Sequence, residues 1–201
     1  MRREHNEWSV LPSGYTPLQY IEGTGTQYIN TGYYPCNDTW IEYVAMQTWT
    51  YNYNQSQTFF GVSDGTWDIN GFTCSTYKNG TYSFDNAYGD GFSKFVTPLN
   101  TLITINLDKT GGYIDGVRKW NCSAYTKPTR NIRPLLFFAA NYNTVTEYGK
   151  HRCYGAVIKE NGVLQRDFVP ALRTLDSKPG LYDLVGGTFY ANAGSGQFNY
   201  A

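Results

Sequence analysis

The sequence predicts an all-β, antiparallel sandwich or barrel, and three observations carry that reading. Apolar and polar side chains alternate along several short segments. Dipeptides of hairpin type (Asp-Gly, Asn-Gly, Gly-Gly) separate neighbouring segments. The composition is poor in charge, at 16%, and rich in strand and turn formers, with 19 Tyr, 11 Phe, 5 Trp and 21 Gly in 201 residues. That mixture favours short strands and tight turns over helices.

Strands are expected over 27–31, 39–49, 57–62, 102–108, 135–141, 152–159 and 163–169. The 102–108 segment shows the logic. Ile103, Ile105 and Leu107 point one way and Thr104, Asn106 and Asp108 the other, which is a half-buried strand. Asp115-Gly116 sits between Tyr113-Ile114 and Val117-Arg118, Asn161-Gly162 between Val157-Ile158 and Val163-Leu164, and Gly186-Gly187 between Leu184-Val185 and Thr188-Phe189-Tyr190. Each dipeptide can take the positive φ of a two-residue primed turn. No fixed-period repeat is present, which disfavours a propeller or solenoid. The polar stretch 1–10 stands apart as an N-terminal arm, and 11–201 is expected to be one domain.

Composition also excludes function classes. Sixteen basic residues balance sixteen acidic ones, so nucleic acid is not an expected ligand. No apolar run reaches the length of a membrane helix, and no apolar stretch follows Arg2 and Arg3 as in a secretory signal. Either the chain stays inside the cell that makes it, or it leaves by another route such as lysis, or a leading segment has been trimmed. Cys36, Cys74, Cys122 and Cys153 are widely spaced, without the paired spacing of a zinc site, and free thiols are expected. His151 precedes Cys153 by two residues and is expected to be a solvent-facing histidine at a strand end.

Two stretches carry a family resemblance. The opening Leu11-Pro-Ser-Gly-Tyr-Thr-Pro-Leu-Gln-Tyr-Ile-Glu-Gly-Thr-Gly-Thr-Gln-Tyr-Ile-Asn-Thr-Gly32 resembles one common in gut bacterial and bacteriophage proteins. The closing Arg166-Asp-Phe-Val-Pro170 and Gly180-Leu-Tyr-Asp-Leu-Val-Gly-Gly-Thr-Phe-Tyr-Ala-Asn-Ala-Gly-Ser-Gly196 resembles the same proteins' ending, and Tyr113-Ile-Asp-Gly116 fits a hairpin found in many of them. The family is the LamG-like, concanavalin A-like lectin/glucanase group. The resemblance implies an antiparallel jelly-roll sandwich over 11–196. Function follows weakly from it, because this superfold carries lectins, glycosidases and structural modules alike.

Catalytic constellations are missing. The glucanases of the superfamily place carboxylates on alternate strand positions, whereas here Glu42 is alone on its strand and Glu147 and Glu160 flank loops. Asp64 and Asp68 read as turn formers. With two histidines, His5 and His151, and no nucleophile elbow, serine chemistry is equally poor. Asp85 and Asp90 supply too few oxygens for calcium and read as part of a turn, so no metal or other cofactor is expected. The cations Lys127, Arg130 and Arg133 read as a solvated loop, and the sequons at Asn37, Asn54, Asn79 and Asn121 carry little weight.

Sugar binding uses flat aromatic faces with amides and hydroxyls, and that mixture is dense in two places. Trp49, Tyr51, Asn52 and Tyr53 interleave rings and an amide in an expected surface loop, and Tyr142 and Tyr148 repeat the chemistry on a smaller scale. The same residue types suit a protein partner. Tyr20, Tyr28, Trp40, Tyr113 and Tyr154 are expected to pack the core or a sheet face. The expectation is a non-catalytic bacteriophage virion protein, serving in capsid or tail decoration or in host-surface adhesion through a lectin-like jelly roll. The second reading is a glycan-binding module of a gut bacterial cell-surface protein, and the third a glycoside hydrolase-like enzyme. The absence of a signal tilts the expectation toward a virion assembled in the host cytoplasm, with a bacterial cell surface as the alternative. Expected partners are a cell-surface glycan, another virion subunit docked through the arm, or a second copy of the chain, without nucleic acid or membrane.

Overall fold

A computed structural model describes residues 11–49, 56–65, 71–76, 82–86, 90–93, 99–121 and 130–201, with 82–86 and 90–93 as backbone alone. Every regular element among them is a strand. In chain order these are β1 (Tyr15–Pro17), β2 (Ile21–Glu22), β3 (Ile29–Asn30), β4 (Thr39–Gln47), β5 (Gln57–Val62) and β6 (Phe72–Thr76). Then come β7 (Tyr82–Asn86), β8 (Asp90–Ser93), β9 (Leu102–Asp108), β10 (Gly111–Ile114), β11 (Val117–Asn121), β12 (Leu136–Phe137) and β13 (Ala140–Asn141). The last are β14 (Val145–Thr146), β15 (His151–Glu160), β16 (Val163–Arg173), β17 (Lys178–Asp183), β18 (Thr188–Ala191) and β19 (Asn199–Tyr200).

They form two sheets packed as a sandwich. The first runs β11-β10-β9-β4-β15-β16-β17-β18, with β1 beside β16 and β2 beside β15 and β19. The second runs β14-β13-β5-β6-β7-β8, with β12 joining β3 to β5. Pairing is antiparallel, except that β13 runs parallel to β5.

The period-two pattern sets the interior. In β4 and β9 the pairs Ile41↔Leu107, Tyr43↔Ile105 and Ala45↔Ile103 turn their side chains inward, and all six are buried. From the second sheet they meet Phe59, Phe60, Val62, Phe72, Cys74 and Phe137. Tyr43 sits at the centre, its ring 5.1 Å from that of Phe137 and 5.7 Å from that of Phe60. Each such side chain contributes roughly 1.5–3 kcal/mol by leaving water. An irregularity between Thr58 and Phe60 lets the consecutive rings of Phe59 and Phe60 both reach the core. Tyr20, Trp40 and Tyr154 line the outer face of the first sheet, where Lys159 lies over the Trp40 ring and Arg152 over that of Tyr20.

Several expected elements differ in extent. The 57–62 and 102–108 strands match β5 and β9, and the 39–49 strand ends at Gln47. The 135–141 strand is broken into β12 and β13 by Phe138, whose φ is 66°. Asp115-Gly116 and Asn161-Gly162 form two-residue turns with positive φ at each position. At Gly186-Gly187 the connection spans 184–187 instead, because Asp183 caps it: its Oδ1 accepts the Val185 amide at 3.1 Å and its carbonyl the Gly187 amide at 2.9 Å. Asp85 pairs with Asp90 at the end of the β7–β8 hairpin. Asp64 behaves as a turn former, its Oδ1 accepting the Ile132 amide at 2.8 Å. Cys36, Cys74 and Cys153 carry free thiols, while Cys122, Asp68 and the arm lie outside the described residues.

The stretches that carry the resemblance bond to one another as a terminal clamp. Tyr28 donates its amide to Asn192 Oδ1 at 3.1 Å, and Ala193 returns its own to the Tyr28 carbonyl at 2.9 Å. Ser195 donates to the Thr26 carbonyl at 3.1 Å, and Leu18 to that of Pro170 at 3.0 Å. The Asp183 carboxylate, 0% exposed, also accepts the Asp167 amide at 3.0 Å and faces Arg166 Nε at 3.4 Å. These residues hold the fold closed.

Candidate functional site

Between β14 and β15 the chain crosses from the second sheet to the first, over residues 147–150. Three backbone groups anchor this crossover. The Thr58 amide donates to the Glu147 carbonyl at 3.1 Å, Gly149 to the Phe138 carbonyl at 2.7 Å, and the Lys150 amide to Gln57 Oε1 at 2.9 Å. Glu147 and Phe138 have φ of 53° and 66°, in the left-handed region that side chains other than glycine occupy at a cost of roughly 1–3 kcal/mol each. Backbone strain of this kind clusters at ligand clamps and switches.

The crossover's side chains bring together unlike chemistries. Glu147 Oε2 accepts the Thr58 hydroxyl at 3.3 Å, and Thr58 shares a further hydrogen bond with Ser75 at 2.8 Å. Burial pushes the Glu147 carboxyl above its ordinary range, against the opposing effect of the Thr58 bond. The half-buried Tyr148 ring lies 6.3 Å from that of Tyr28. Lys150 Nζ sits 5.0 Å from the centre of the half-buried Trp49 ring, and Gln47 Nε2 holds the Trp49 carbonyl at 3.1 Å. The opening stretch makes the room: a Cβ at Gly23 would come within 2.7 Å of the Phe138 ring, and one at Gly25, where φ is 111°, within 2.7 Å of the Lys150 stem.

Behind the crossover stands His151, and here the sequence expectation is corrected. The residue is 2% exposed, not solvent-facing. Its Nε2 shares a 2.8 Å hydrogen bond with the Tyr43 hydroxyl, and its ring stacks on Phe138 at 4.3 Å and lies 4.7 Å from Phe59. The first residue of β15 thus turns its side chain into the sandwich, where burial lowers its pKa from 6.5 to about 3.

Of the expected site residues, Tyr148 belongs to the crossover and pairs with Tyr28, and Trp49 meets the crossover through Lys150. Tyr142 is elsewhere, in the β13–β14 turn at the Val62 end of β5, where Ser63 donates to the Asn141 carbonyl at 2.9 Å. Tyr51, Asn52 and Tyr53 lie outside the described residues. Gln57, expected to begin the 57–62 strand, is a buried residue of β5. Sequence reasoning pairs Glu147 with Tyr148 in the smaller ring-and-polar cluster but passes over Lys150 and Tyr28 as site residues. A signal was present in Glu147-Tyr148-Gly149-Lys150, which places a carboxylate, a ring and a cation just before a strand.

Half-exposed ring faces beside a carboxylate, an ammonium and hydroxyls can stack on an apolar sugar face and bond its hydroxyl groups. The other carboxylates seen at loop ends or strands have partners of their own: Glu160 accepts from Arg130 at 2.6 Å and from Tyr33 at 3.0 Å, and Glu42 accepts from Asn106 at 3.4 Å. No cluster of three metal-ligating side chains occurs among the described residues.

No family model matches the chain, and no curated protein matches its sequence. Its fold is similar to that of a "putative carbohydrate binding protein" from Bacteroides ovatus ATCC 8483, with a TM-score of 0.55 and 10% sequence identity over 92% of this chain. The chain spans 60% of that protein's length, and the two share the all-β sandwich architecture.

Proposed function

We propose that this domain is a non-catalytic glycan-binding module of the LamG-like group, and that it binds through the 147–150 crossover with Trp49 and Tyr28. One observation carries the reading: within one short, strained segment Tyr148 meets the Tyr28 ring, Lys150 meets the Trp49 ring, and Glu147 presents a carboxylate held by Thr58. Rings without a cation and carboxylate would be ordinary sheet cover, and charges without rings an ordinary solvated turn. The sandwich shared with the Bacteroides ovatus protein adds support, since that protein's description names carbohydrate. A bacterial cell surface is one setting in which such a module would serve adhesion. The phage particle remains the other setting, and mass spectrometry of purified virions against bacterial envelope fractions separates the two.

A glycan array followed by calorimetric titration of its strongest oligosaccharide tests the binding claim. Replacing Trp49 and Tyr148 together by Ala is expected to weaken binding by about 2–4 kcal/mol, as loss of hot-spot aromatics does, with the melting temperature nearly unchanged. Equal affinity in the double variant overturns the assignment of the site. Turnover of the bound oligosaccharide overturns the non-catalytic reading.

A further inference from the structure

We infer that the 147–151 segment is an acid-released latch: protonation of His151 expels its ring from between the sheets and frees the crossover, while the two sheets stay paired. The ring is a wedge in a closed aromatic box, bounded by Tyr43 of β4, Phe59 of β5 and Phe138 of the link between β12 and β13. The titratable group facing it from β4 is the Tyr43 phenol, which burial holds neutral. Beyond that hydroxyl lie the thiols of Cys153 in β15 and Cys74 in β6, both pushed up by burial and neutral in acid. On the crossover itself, the Glu147 carboxyl is engaged by Thr58. From the β2 side the contact is a backbone one, the Gly23 amide donating to the His151 carbonyl at 3.0 Å. An imidazolium in this box has a phenol oxygen and aromatic faces for company, so its charge is stabilised best by leaving.

The exit is local because the anchoring is uneven. From His151 onward β15 is paired with β4, beginning at Gln47, and it also pairs with β2 at Arg152 and Cys153 and with β16 from Ala156 on. The strand backbone therefore stays while the ring and the crossover ahead of it move. The crossover has its three backbone anchors, with left-handed backbone at Glu147 and at Phe138, the residue that stacks on the wedge. Opening it carries Glu147, Tyr148 and Lys150 away from Thr58, Tyr28 and Trp49. On the glycan-binding reading proposed above, acid therefore dismantles the site and discharges the ligand. The latch itself stands on the crossover geometry and is testable without any glycan.

The test is amide hydrogen exchange followed by NMR on the full chain between about pH 7 and pH 4.5, corrected for intrinsic exchange rates. Reporters are the Thr58, Gly149 and Lys150 amides, which make the crossover's bonds. Their opening equilibrium is expected to rise about 100-fold at pH 4.5, two units below the ordinary histidine pKa of 6.5, and to exceed that of the β4–β15 amides throughout. Far-UV circular dichroism stays β-type over the same range. His151→Phe is expected to abolish the acid-driven rise at the reporters, leaving only the opposite dependence of Glu147, whose raised carboxyl pKa favours the closed crossover as pH falls. Should that variant fail to fold, His151→Gln keeps a hydrogen-bonding partner for Tyr43 without the titration. Reporter amides that open only together with the β4–β15 core, or an acid-driven opening that persists in the folded variant, overturn the latch.

Discussion

Two buried carboxylates separate the parts of this molecule. In the terminal clamp, Asp183 accepts two backbone amides on one oxygen and presents the other to Arg166. Its own backbone lies in a regular strand. In the crossover, Glu147 accepts the Thr58 hydroxyl, sits in left-handed backbone, and has its carboxyl pushed up by burial. The first arrangement is bonded in a way that any movement would undo. The second holds a titratable group beside rings and a cation at a place where the chain has few anchors. The residues that carry the family resemblance therefore explain how the sandwich closes, and the proposed site lies in a segment outside those stretches that borrows one ring from them, that of Tyr28. The two meet where Gly23 and Gly25 of the opening stretch make room for Phe138 and Lys150.

That contrast is sharpest in the response to substitution. Asp183→Ala leaves the Asp167 and Val185 amides unpaired and Arg166 without its counter-charge, so it is expected to cost about 3–5 kcal/mol in urea unfolding. A loss below about 1 kcal/mol would show that the clamp holds little.

The next effect is one of pH. His151 has a folded pKa lowered from 6.5 to about 3, so its neutral form stabilises the fold. That stability is fully present above pH 6.5 and is lost as pH falls towards 3, at about 1.4 kcal/mol per unit, or nearly 3 kcal/mol by pH 4.5. Urea unfolding at several pH values, compared with His151→Phe, isolates this component. Parallel pH profiles in the two proteins would contradict it.

A smaller loss is expected from crowding the crossover. A Cβ at Gly149 would approach the Thr58 carbonyl oxygen too closely and come within 2.8 Å of His151 Nδ1. Gly149→Ala is therefore expected to cost roughly 1–3 kcal/mol and to raise exchange at the Thr58 amide first. Smallest of all is Lys150→Ala, which removes a half-exposed cation from the Trp49 face and is expected to change stability by under about 1 kcal/mol. If the proposed site is correct, its effect on oligosaccharide affinity exceeds its effect on the melting temperature.

Much of the fold was legible because alternation and turn chemistry are local. Ile103, Ile105 and Leu107 face inward as their spacing requires, and Asp115-Gly116 and Asn161-Gly162 form the expected turns. Local signals failed where tertiary contacts decide. Phe138 breaks an apolar run by entering left-handed backbone, and it is stacked there by His151, 13 residues later in the chain. The 184–187 turn is lengthened by the Asp183 cap, which a Gly-Gly pair does not announce. The site was half legible. Trp49 and Tyr148 stood out as aromatics among polar residues, but the contact of Trp49 with the crossover depends on Lys150 reaching across to its ring. Tyr142 looked equivalent in sequence and lies at the other end of β5. His151 was misplaced because a strand-end position says nothing about which side of the sheet the ring takes.

The central claim, that binding belongs to the crossover and closure to the clamp, is tested most directly by mapping amide chemical-shift changes as the strongest array oligosaccharide is added. The account predicts changes concentrated at 147–151, at Thr58 and around Trp49, with the 166–185 amides unmoved. Shifts centred on 166–185, or on the β13–β14 turn around Tyr142, would contradict it.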